Sequence, residues 1–353
     1  MSAPYAAGMV PLSVLDLCPV AEGSTPADAL ANSLALARHA EALGYRRFWV
    51  AEHHNMEGIA SAATAVVIAH LAAGTSTIRV GSGGIMLPNH SPLVIAEQFG
   101  TLAWLHPARI DLGLGRAPGT DLATVTAMRR RPEASDRFPQ DVLELQALLG
   151  PARPGQTVRA EPGTGTEVPL WILGSSLFGA QLAAVLGLPF AFASHFAPTQ
   201  LFQALEIYRE RFEPSATLDA PYAMVALNGV AADTDAEARR LFTTVQQAFT
   251  NIRRGKRGKQ LPPIDDIDAY WSPMEKAQAQ HMLGFAVVGG PETVRDGLAR
   301  AQAATQADEI MITSSIFDPS ARRYSYSIIA ELAGLAGPDP VLAGAGLAAA
   351  APV

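Results

Sequence analysis

The sequence has little cysteine and no long uncharged apolar run. Its 353 residues include one cysteine, Cys18, which excludes an intramolecular disulfide framework and any metal site built on cysteines. The first ten residues carry no Lys or Arg ahead of an apolar run, so they do not resemble a secretory signal, and no apolar stretch is long enough to span a bilayer. We therefore expect a cytoplasmic protein in which Cys18 is a small apolar filler.

Charged residues are also scarce, and their balance is acidic. Asp, Glu, Lys and Arg make up 17% of the chain, and 33 acidic against 26 basic side chains give a net charge of −7. That balance excludes a general electrostatic attraction to nucleic acid or to an anionic membrane. We interpret the concentrated basic stretch, residues 253–259, as a solvated loop, with a phosphate contact as the alternative.

What the sequence does contain is an alternation of short apolar runs with Ala- and Leu-rich segments of helical period. Hydrophobic residues make up 49% of the chain, which is enough for a large buried core. The predicted strands are eight, at residues 12–17, 47–51, 78–87, 110–115, 170–174, 190–194, 222–230 and 309–313. This pattern favours an α/β fold, a (β/α)₈ TIM barrel, because an open sheet of this size would usually show a nucleotide fingerprint after its first strand.

Helices are predicted between the strands, and two long segments interrupt the alternation. The helices cover residues 27–43, 60–73, 92–105, 178–186, 198–212 and 291–304. Residues 129–166 and 233–283 are predicted insertions at the C-terminal face of the barrel, the second being the better candidate for a mobile lid. We expect one domain over residues 1–333 and a flexible tail over the Ala- and Gly-rich residues 334–353.

The second predicted strand ends in the triplet Glu52-His53-His54, at the barrel end where catalytic groups normally lie. These groups either take part in acid–base chemistry or satisfy the loop backbone and one another. Adjacent histidines in an extended chain point in opposite directions, so the pair does not favour a metal site, and we predict none. We expect His53 to face the barrel mouth and His54 to be oriented by Glu52 or by backbone.

Glycines interrupt the third strand at Gly83-Gly84. Because glycine weakens a strand, we expect these positions either to accommodate a flat ligand ring or an unusual peptide geometry, or to form a β-bulge without a ligand.

Three further groups follow the fourth, fifth and sixth strands. Arg116 is a candidate anion ligand, with a structural salt bridge as the alternative. The turn Gly174-Ser175-Ser176 precedes a helix, where free backbone N–H groups would bind a phosphate or the serines would act as ordinary N-caps. His195 adds an imidazole at the mouth, with a packed loop histidine as the default interpretation.

Taken together, these segments resemble the luciferase-like flavin monooxygenases, and the small single-subunit oxidoreductases of that family in particular. The resemblance covers most of residues 10–332 and is most specific at residues 49–54, 78–88, 106–110, 112–116, 174–176, 183–184, 187–189 and 288–294.

The resemblance implies reduced FMN at the barrel mouth and its use with O₂ to oxygenate a small organic substrate. It implies that His53 is catalytic, with His54 or His195 assisting, and that Gly83-Gly84 carries a non-proline cis peptide beneath the flavin ring. Arg116 and the Gly174-Ser175-Ser176 turn would then bind the flavin phosphate. A separate flavin reductase and a homodimer are further expectations.

The chain departs from the light-emitting members of the family at two positions, so we do not predict light emission. Gly115 stands where those members have a reactive cysteine, and Ser175 where they have a glutamate. Other hypotheses remain open: hydride transfer with F420 or flavin, a flavin-binding protein without turnover, and a metal-dependent barrel hydrolase.

Overall fold

The computed structural model describes residues 8–337, and parallel strands form its centre. The strands are β1 (Leu12–Asp16), β2 (Arg47–Val50), β3 (Arg79–Met86), β4 (Ile110–Gly115), β5 (Leu170–Gly174), β6 (Phe190–Phe192), β7 (Ala223–Ala231), β8 (Ala286–Gly289) and β9 (Glu309–Thr313). Strands β1 to β6 pair in chain order, β6 pairs with β7, β7 with β9, and β9 with β1. The predicted eight-stranded (β/α)₈ barrel is therefore confirmed.

The prediction of eight strands in total was wrong by one. The missed strand, β8, pairs with the last four residues of β7, beyond most of the segment that pairs with β9. Strand β8 pairs only with β7 and is not one of the eight strands that close the barrel. Strands β2 and β6 are no longer than β8, but β8 pairs with β7 alone and only two of its four residues are buried, so its formation depends on that one pairing.

Helices surround the barrel. They are α1 (Pro26–Leu43), α2 (Thr64–Ala73), α3 (Pro92–Leu105), α4 (Leu122–Ala127), α5 (Phe138–Leu149), α6 (Leu177–Leu186), α7 (Leu201–Glu210), α8 (Asp235–Arg253), α9 (Pro273–Met282), α10 (Pro291–Thr305) and α11 (Pro319–Ala333). Local sequence sets several of their ends. Thr25 and Asp28 form a capping box at the start of α1, and Gly44 ends that helix in the left-handed conformation.

The segments predicted to be insertions contain helices of their own. Residues 129–166 include α5, and residues 233–283 include α8 and α9. Helix α11 ends at Gly334. The predicted tail over residues 334–353 lies outside the described residues from position 338 onward. Within residues 8–337, no helix has the length and apolar character needed to cross a membrane.

A buried ionic cluster closes the N-terminal end of the barrel. Arg47 donates to Glu309 at 2.8 and 3.0 Å and to Asp111 at 2.9 Å, and all three side chains are buried. Above this cluster Trp49 and Trp171 pack edge to face, with ring centroids 5.2 Å apart. Because ion pairs and indole rings fill the lower barrel, open space remains at its C-terminal end.

Candidate active site

A cavity of about 570 Å³ occupies the C-terminal end of the barrel. Strand ends, the loops that follow them and the C-terminal half of α8 form its walls. Its lining includes every predicted site residue except His54: His53, Gly83, Gly84, Arg116, Gly174, Ser175, Ser176 and His195. The barrel topology thus brings residues from five different strand ends together, at the face where TIM-barrel enzymes carry their sites.

His53 faces the cavity, as the sequence predicts. Its Nδ1 lies 3.2 Å from the carbonyl oxygen of Gly119. A carbonyl only accepts, so this contact places the proton on Nδ1 and leaves Nε2 with a free lone pair. Burial lowers the pKa of His53 below its usual value, so the ring is neutral at pH 7. A neutral imidazole with an available Nε2 can accept a proton.

His195 is the second imidazole of the cavity. Burial, together with the nearby His53, lowers its pKa to about 4. The side chain of Asn228 donates to the His195 carbonyl at 2.6 Å and fixes the backbone there. Within the described part of the chain, the buried Nδ1 of His195 has no hydrogen-bond partner. A buried polar atom of this kind is costly unless a ligand or a water satisfies it.

His54 points away from the cavity and belongs to a network around Glu52. The Glu52 carboxylate is 1% exposed and accepts from His54 Nε2 at 2.7 Å and from His90 Nε2 at 2.9 Å. The Met86 amide and the Asn89 side chain donate to it at 3.0 and 3.1 Å. Burial alone would raise the pKa of Glu52, but the bonds from His54 and His90 lower it to about 2. The bond to Glu52 raises the pKa of His54.

Glu52, His54 and His90 also place three potential metal-ligand atoms within 4.8 Å of one another. Sequence reasoning missed His90, because its separation from Glu52 matches no metal-binding motif. The three groups already satisfy one another by hydrogen bonds, so the arrangement is complete without an ion. We therefore interpret the cluster as a structural support of the strand end that presents His53.

Gly83 and Gly84 form part of the cavity wall, and the peptide bond between them is cis. The pairing of β3 with β4 shifts register between Ser82 and Ile85, so the β-bulge considered from the sequence is present. A Cβ atom on Gly84 would lie 2.7 Å from the carbonyl oxygen of Gly113. Close packing of β3 on β4 therefore requires glycine at position 84 whether or not a ligand ring lies on it.

Arg116 follows β4 and lies over the ring of Phe178 at the start of α6, with the guanidinium carbon 4.1 Å from the ring centroid. Among residues 8–337, no carboxylate pairs with Arg116, so the salt bridge considered as an alternative is absent there. The cation–π contact positions the guanidinium at the cavity and leaves its N–H donors available to an anion.

The Gly174-Ser175-Ser176 turn leads from β5 into α6. Ser176 occupies the N-cap position in an extended conformation, but its side chain makes no capping hydrogen bond. Ordinary N-capping therefore does not account for the serine. Ser175, Ser176 and two residues of the first turn of α6, Phe178 and Gly179, line the cavity together with Arg116, and the first amides of a helix have no partner within the helix. This combination of donors suits an anionic group such as a phosphate.

The basic stretch 253–259 is exposed, as expected of a solvated loop, but it also forms part of the cavity wall. Four of its cationic residues line the cavity: Arg253, Lys256, Arg257 and Lys259. The sequence analysis predicted residues 233–283 at the C-terminal face, but the place of this stretch in the cavity wall depends on how α8 packs against the barrel. The mobility predicted for residues 233–283 stays a prediction.

Comparison with known proteins places this site in a family. The family description "Luciferase-like monooxygenase" matches residues 11–341. A luciferase-like monooxygenase of Escherichia coli strain K12 is 56% identical over 320 residues, 90% of this chain and 96% of that protein. The N-acetyl-S-alkylcysteine monooxygenase of Bacillus subtilis strain 168 is 30% identical over 92% of this chain and 98% of its own length.

Solved structures agree with the sequence comparison. The crystal structure of apo-MsnO8 matches with a TM-score of 0.86 and 38% identity, over 93% of this chain and 99% of that one. Two structures below 20% identity share the fold alone. One is the oxygenating constituent of 3,6-diketocamphane monooxygenase from Pseudomonas putida in complex with FMN, with a TM-score of 0.68 over 94% of this chain and 100% of that one. The other is an F420-dependent secondary alcohol dehydrogenase, with a TM-score of 0.66 over 92% of this chain and 98% of that one. With a family match over nearly its whole length, the chain belongs to the luciferase-like monooxygenase family.

Proposed function

We propose that the protein is a flavin-dependent monooxygenase that uses reduced FMN and O₂ to oxygenate a small organic substrate. The observation that carries the proposal is one cavity that combines donors for an anion with two neutral imidazoles. The donors are Arg116 and the open N-terminus of α6, and the imidazoles are His53 and His195.

The residues present fit a flavin at two points. Arg116, Ser175 and Ser176 would hold its phosphate, because they offer a guanidinium, hydroxyls and helix N-terminal amides at one rim. The unsubstituted backbone at Gly83-Gly84 would let a flat ring approach the barrel wall closely. When bound, reduced flavin would supply the electrons that activate O₂.

The imidazoles would manage protons beside the ring. With its proton on Nδ1 fixed by Gly119, His53 would accept a proton at Nε2 and return it later in the cycle. His195, neutral and with an unpartnered Nδ1, would contact the cofactor or the substrate through a hydrogen bond. Apolar side chains of α8 and of the loop after β2 would exclude water from this space.

The relatives support the same chemistry. The B. subtilis relative is a monooxygenase by name, and a structural neighbour was solved with FMN, although a second neighbour depends on F420. The described chain shows no second nucleotide-binding fold, so reduced flavin would come from a separate reductase or from free exchange. Exposed apolar side chains on α2 and α3, including Val66, Trp104 and Leu105, would suit the contact of a homodimer.

The test begins with cofactor titration of the purified protein, using FMN and F420 in parallel. Reduced FMN is then supplied, and O₂ uptake is measured with a panel of thioethers and ketones, with isotopically labelled O₂ and mass analysis of the products. We expect FMN binding, substrate-stimulated O₂ uptake and a product that carries one labelled oxygen atom.

Each other outcome supports a different function. Tight F420 binding without FMN affinity would replace the proposal by hydride transfer on the same fold. FMN binding without substrate-stimulated O₂ uptake over the whole panel would favour a flavin-binding protein without turnover.

A further inference from the structure

The cavity has an unusual charge composition for this chain. The protein carries a net charge of −7, yet among the described residues the cavity lining contains no Asp or Glu. Five of the lining residues are cationic: Arg116, Arg253, Lys256, Arg257 and Lys259. Positive side chains without carboxylates around a shared space produce a positive local potential, and that potential favours an anionic ligand.

Two of the five cations already have a role. Arg257 Nη1 lies 3.1 Å from a carboxylate oxygen of Asp121, outside the lining. Arg116 lies beside α6, where the proposed function assigns it to the cofactor phosphate. Arg254, in the same basic stretch, is not part of the cavity lining and pairs with Glu275 at 2.7 Å.

Three cations remain without a carboxylate partner in the part of the chain that the structure describes. Lys259 Nζ donates to the Ser24 carbonyl at 2.8 Å, and Arg253 lies 3.1 Å from the sulfur of Met282. The Lys256 side chain has no hydrogen-bond partner among these residues. Lys256 thus retains its full charge-assisted donor capacity, and Arg253 retains all of its donors except the one directed at Met282.

An apolar wall adjoins these cations. Helix α8 ends at Arg253, and its preceding two turns present Val245, Phe249 and Ile252 to the cavity. Ile59, after β2, lies in the same lining. A molecule with an apolar body and a charged end would match this succession of surfaces.

The position of the basic stretch is fixed by backbone contacts. The Gln260 amide donates to the Val20 carbonyl at 2.9 Å, and the Gln260 carbonyl accepts from Glu22 at 2.8 Å. A Cβ atom on Gly58 would lie 2.4 Å from the Gly258 carbonyl oxygen, so these two segments of the chain are in direct backbone contact. The stretch is therefore held on the loops after β1 and β2, while Arg116 follows β4.

Resting on the proposed function, we propose that the substrate is a small organic anion, a carboxylate on an apolar body, and that Lys256 and Arg253 bind the carboxylate. The apolar body lies along α8 and directs the reacting atom toward His53. Binding of an anionic cofactor group by the same cations is the competing assignment.

The experiment compares octanoate with octanamide, which has the same body and no charge. Affinities for both, and for FMN, are measured by calorimetric titration of the wild type, of Lys256→Met and of Arg300→Met. The last variant removes one exposed positive charge on α10, away from the cavity. Melting temperatures of all three proteins confirm that folding is unchanged.

We expect the wild type to bind octanoate more tightly than octanamide. Lys256→Met should lower octanoate affinity on the order of tenfold and leave octanamide and FMN affinities as in the wild type. Arg300→Met should change none of them.

Equal affinity of the wild type for octanoate and octanamide would overturn the inference. Weaker FMN binding by Lys256→Met, with octanoate binding unchanged, would assign the cations to the cofactor instead. These results are independent of turnover. Lys256-dependent octanoate binding without O₂ uptake on any substrate would contradict the proposed function and leave the anion site standing.

Discussion

Replacing Glu52 by glutamine tests the network that supports the strand end bearing His53. The buried carboxylate accepts from His54, His90, Asn89 and the Met86 amide. A glutamine of the same shape presents an NH₂ group in place of one oxygen, so at least one buried N–H donor then faces another donor. Leaving one such group unsatisfied costs about 1–3 kcal/mol.

The depressed pKa of Glu52 leads to a free energy of similar size. A fall from the ordinary 4.5 to about 2 in the folded protein corresponds to about 3 kcal/mol of stability at neutral pH. With an unfolding entropy of about 2.1 cal/mol/K per residue over roughly 330 residues, a loss of about 3 kcal/mol lowers Tm by about 4 °C.

The pH dependence has a definite sign. Because the folded-state pKa is depressed, the stabilisation is present above pH 4.5 and is lost as pH falls from 4.5 toward 2. The bond to Glu52 also raises the pKa of His54, so this pair adds stability as pH falls toward 6.5. The stability difference between wild type and Glu52→Gln should thus be largest between about pH 6.5 and pH 5 and smaller by about 1 kcal/mol at pH 4.

The assay is scanning calorimetry at pH 7.5, followed by denaturant titration between pH 7.5 and pH 4. Glu57→Gln is the matched control, because Glu57 is exposed in the loop that follows the same strand. A Glu52→Gln variant that melts with the wild type at pH 7.5 would refute the assigned role, and so would a stability difference that grows as pH falls below 4.5.

Three further predictions concern the cavity. Arg116→Ala should lower FMN affinity by about tenfold to a hundredfold, since a charge-assisted hydrogen bond contributes about 1.5–3 kcal/mol; fluorescence titration measures this. His53→Ala should leave FMN binding intact and lower the turnover rate by a factor of about 10²–10⁴. In the wild type, the acidic limb of the kcat/KM profile should lie below pH 6.5, because burial lowers the pKa of His53. Gly84→Ala should cost about 1–3 kcal/mol of stability in denaturant titration, because its Cβ would meet the Gly113 carbonyl.

Each of these predictions has a result that would contradict it, and two have a matched control variant. Unchanged FMN affinity in Arg116→Ala would remove that residue from the phosphate site, and Arg300→Ala reports the effect of charge alone. Full activity in His53→Ala would exclude it from proton transfer. For Gly84→Ala the control is Gly258→Ala, where a Cβ atom would meet nothing within 4 Å. Equal stability of the two variants would contradict the packing argument.

Local sequence determined most of the barrel. Strands β4, β5 and β9 have their predicted bounds, because each is a buried apolar run that ends at a polar or flexible residue. The Glu52-His53-His54 triplet could be found for the same reason, as polar residues directly after a buried strand. Strand β8 was missed because it depends on pairing with the end of β7 alone, a contact that lies outside its own sequence.

The (β/α)₈ fold could thus be predicted from the sequence. The positions of His53, Arg116 and the serine turn directly after strands could also be predicted, because these features depend on neighbours along the chain. The sequence left open whether Glu52 or backbone orients His54, and the fold assigns that contact to Glu52, adds His90 as a second partner, and brings the basic stretch into the cavity wall. Those outcomes depend on contacts between residues far apart in sequence, and such contacts form only when the barrel closes and α8 packs over its mouth.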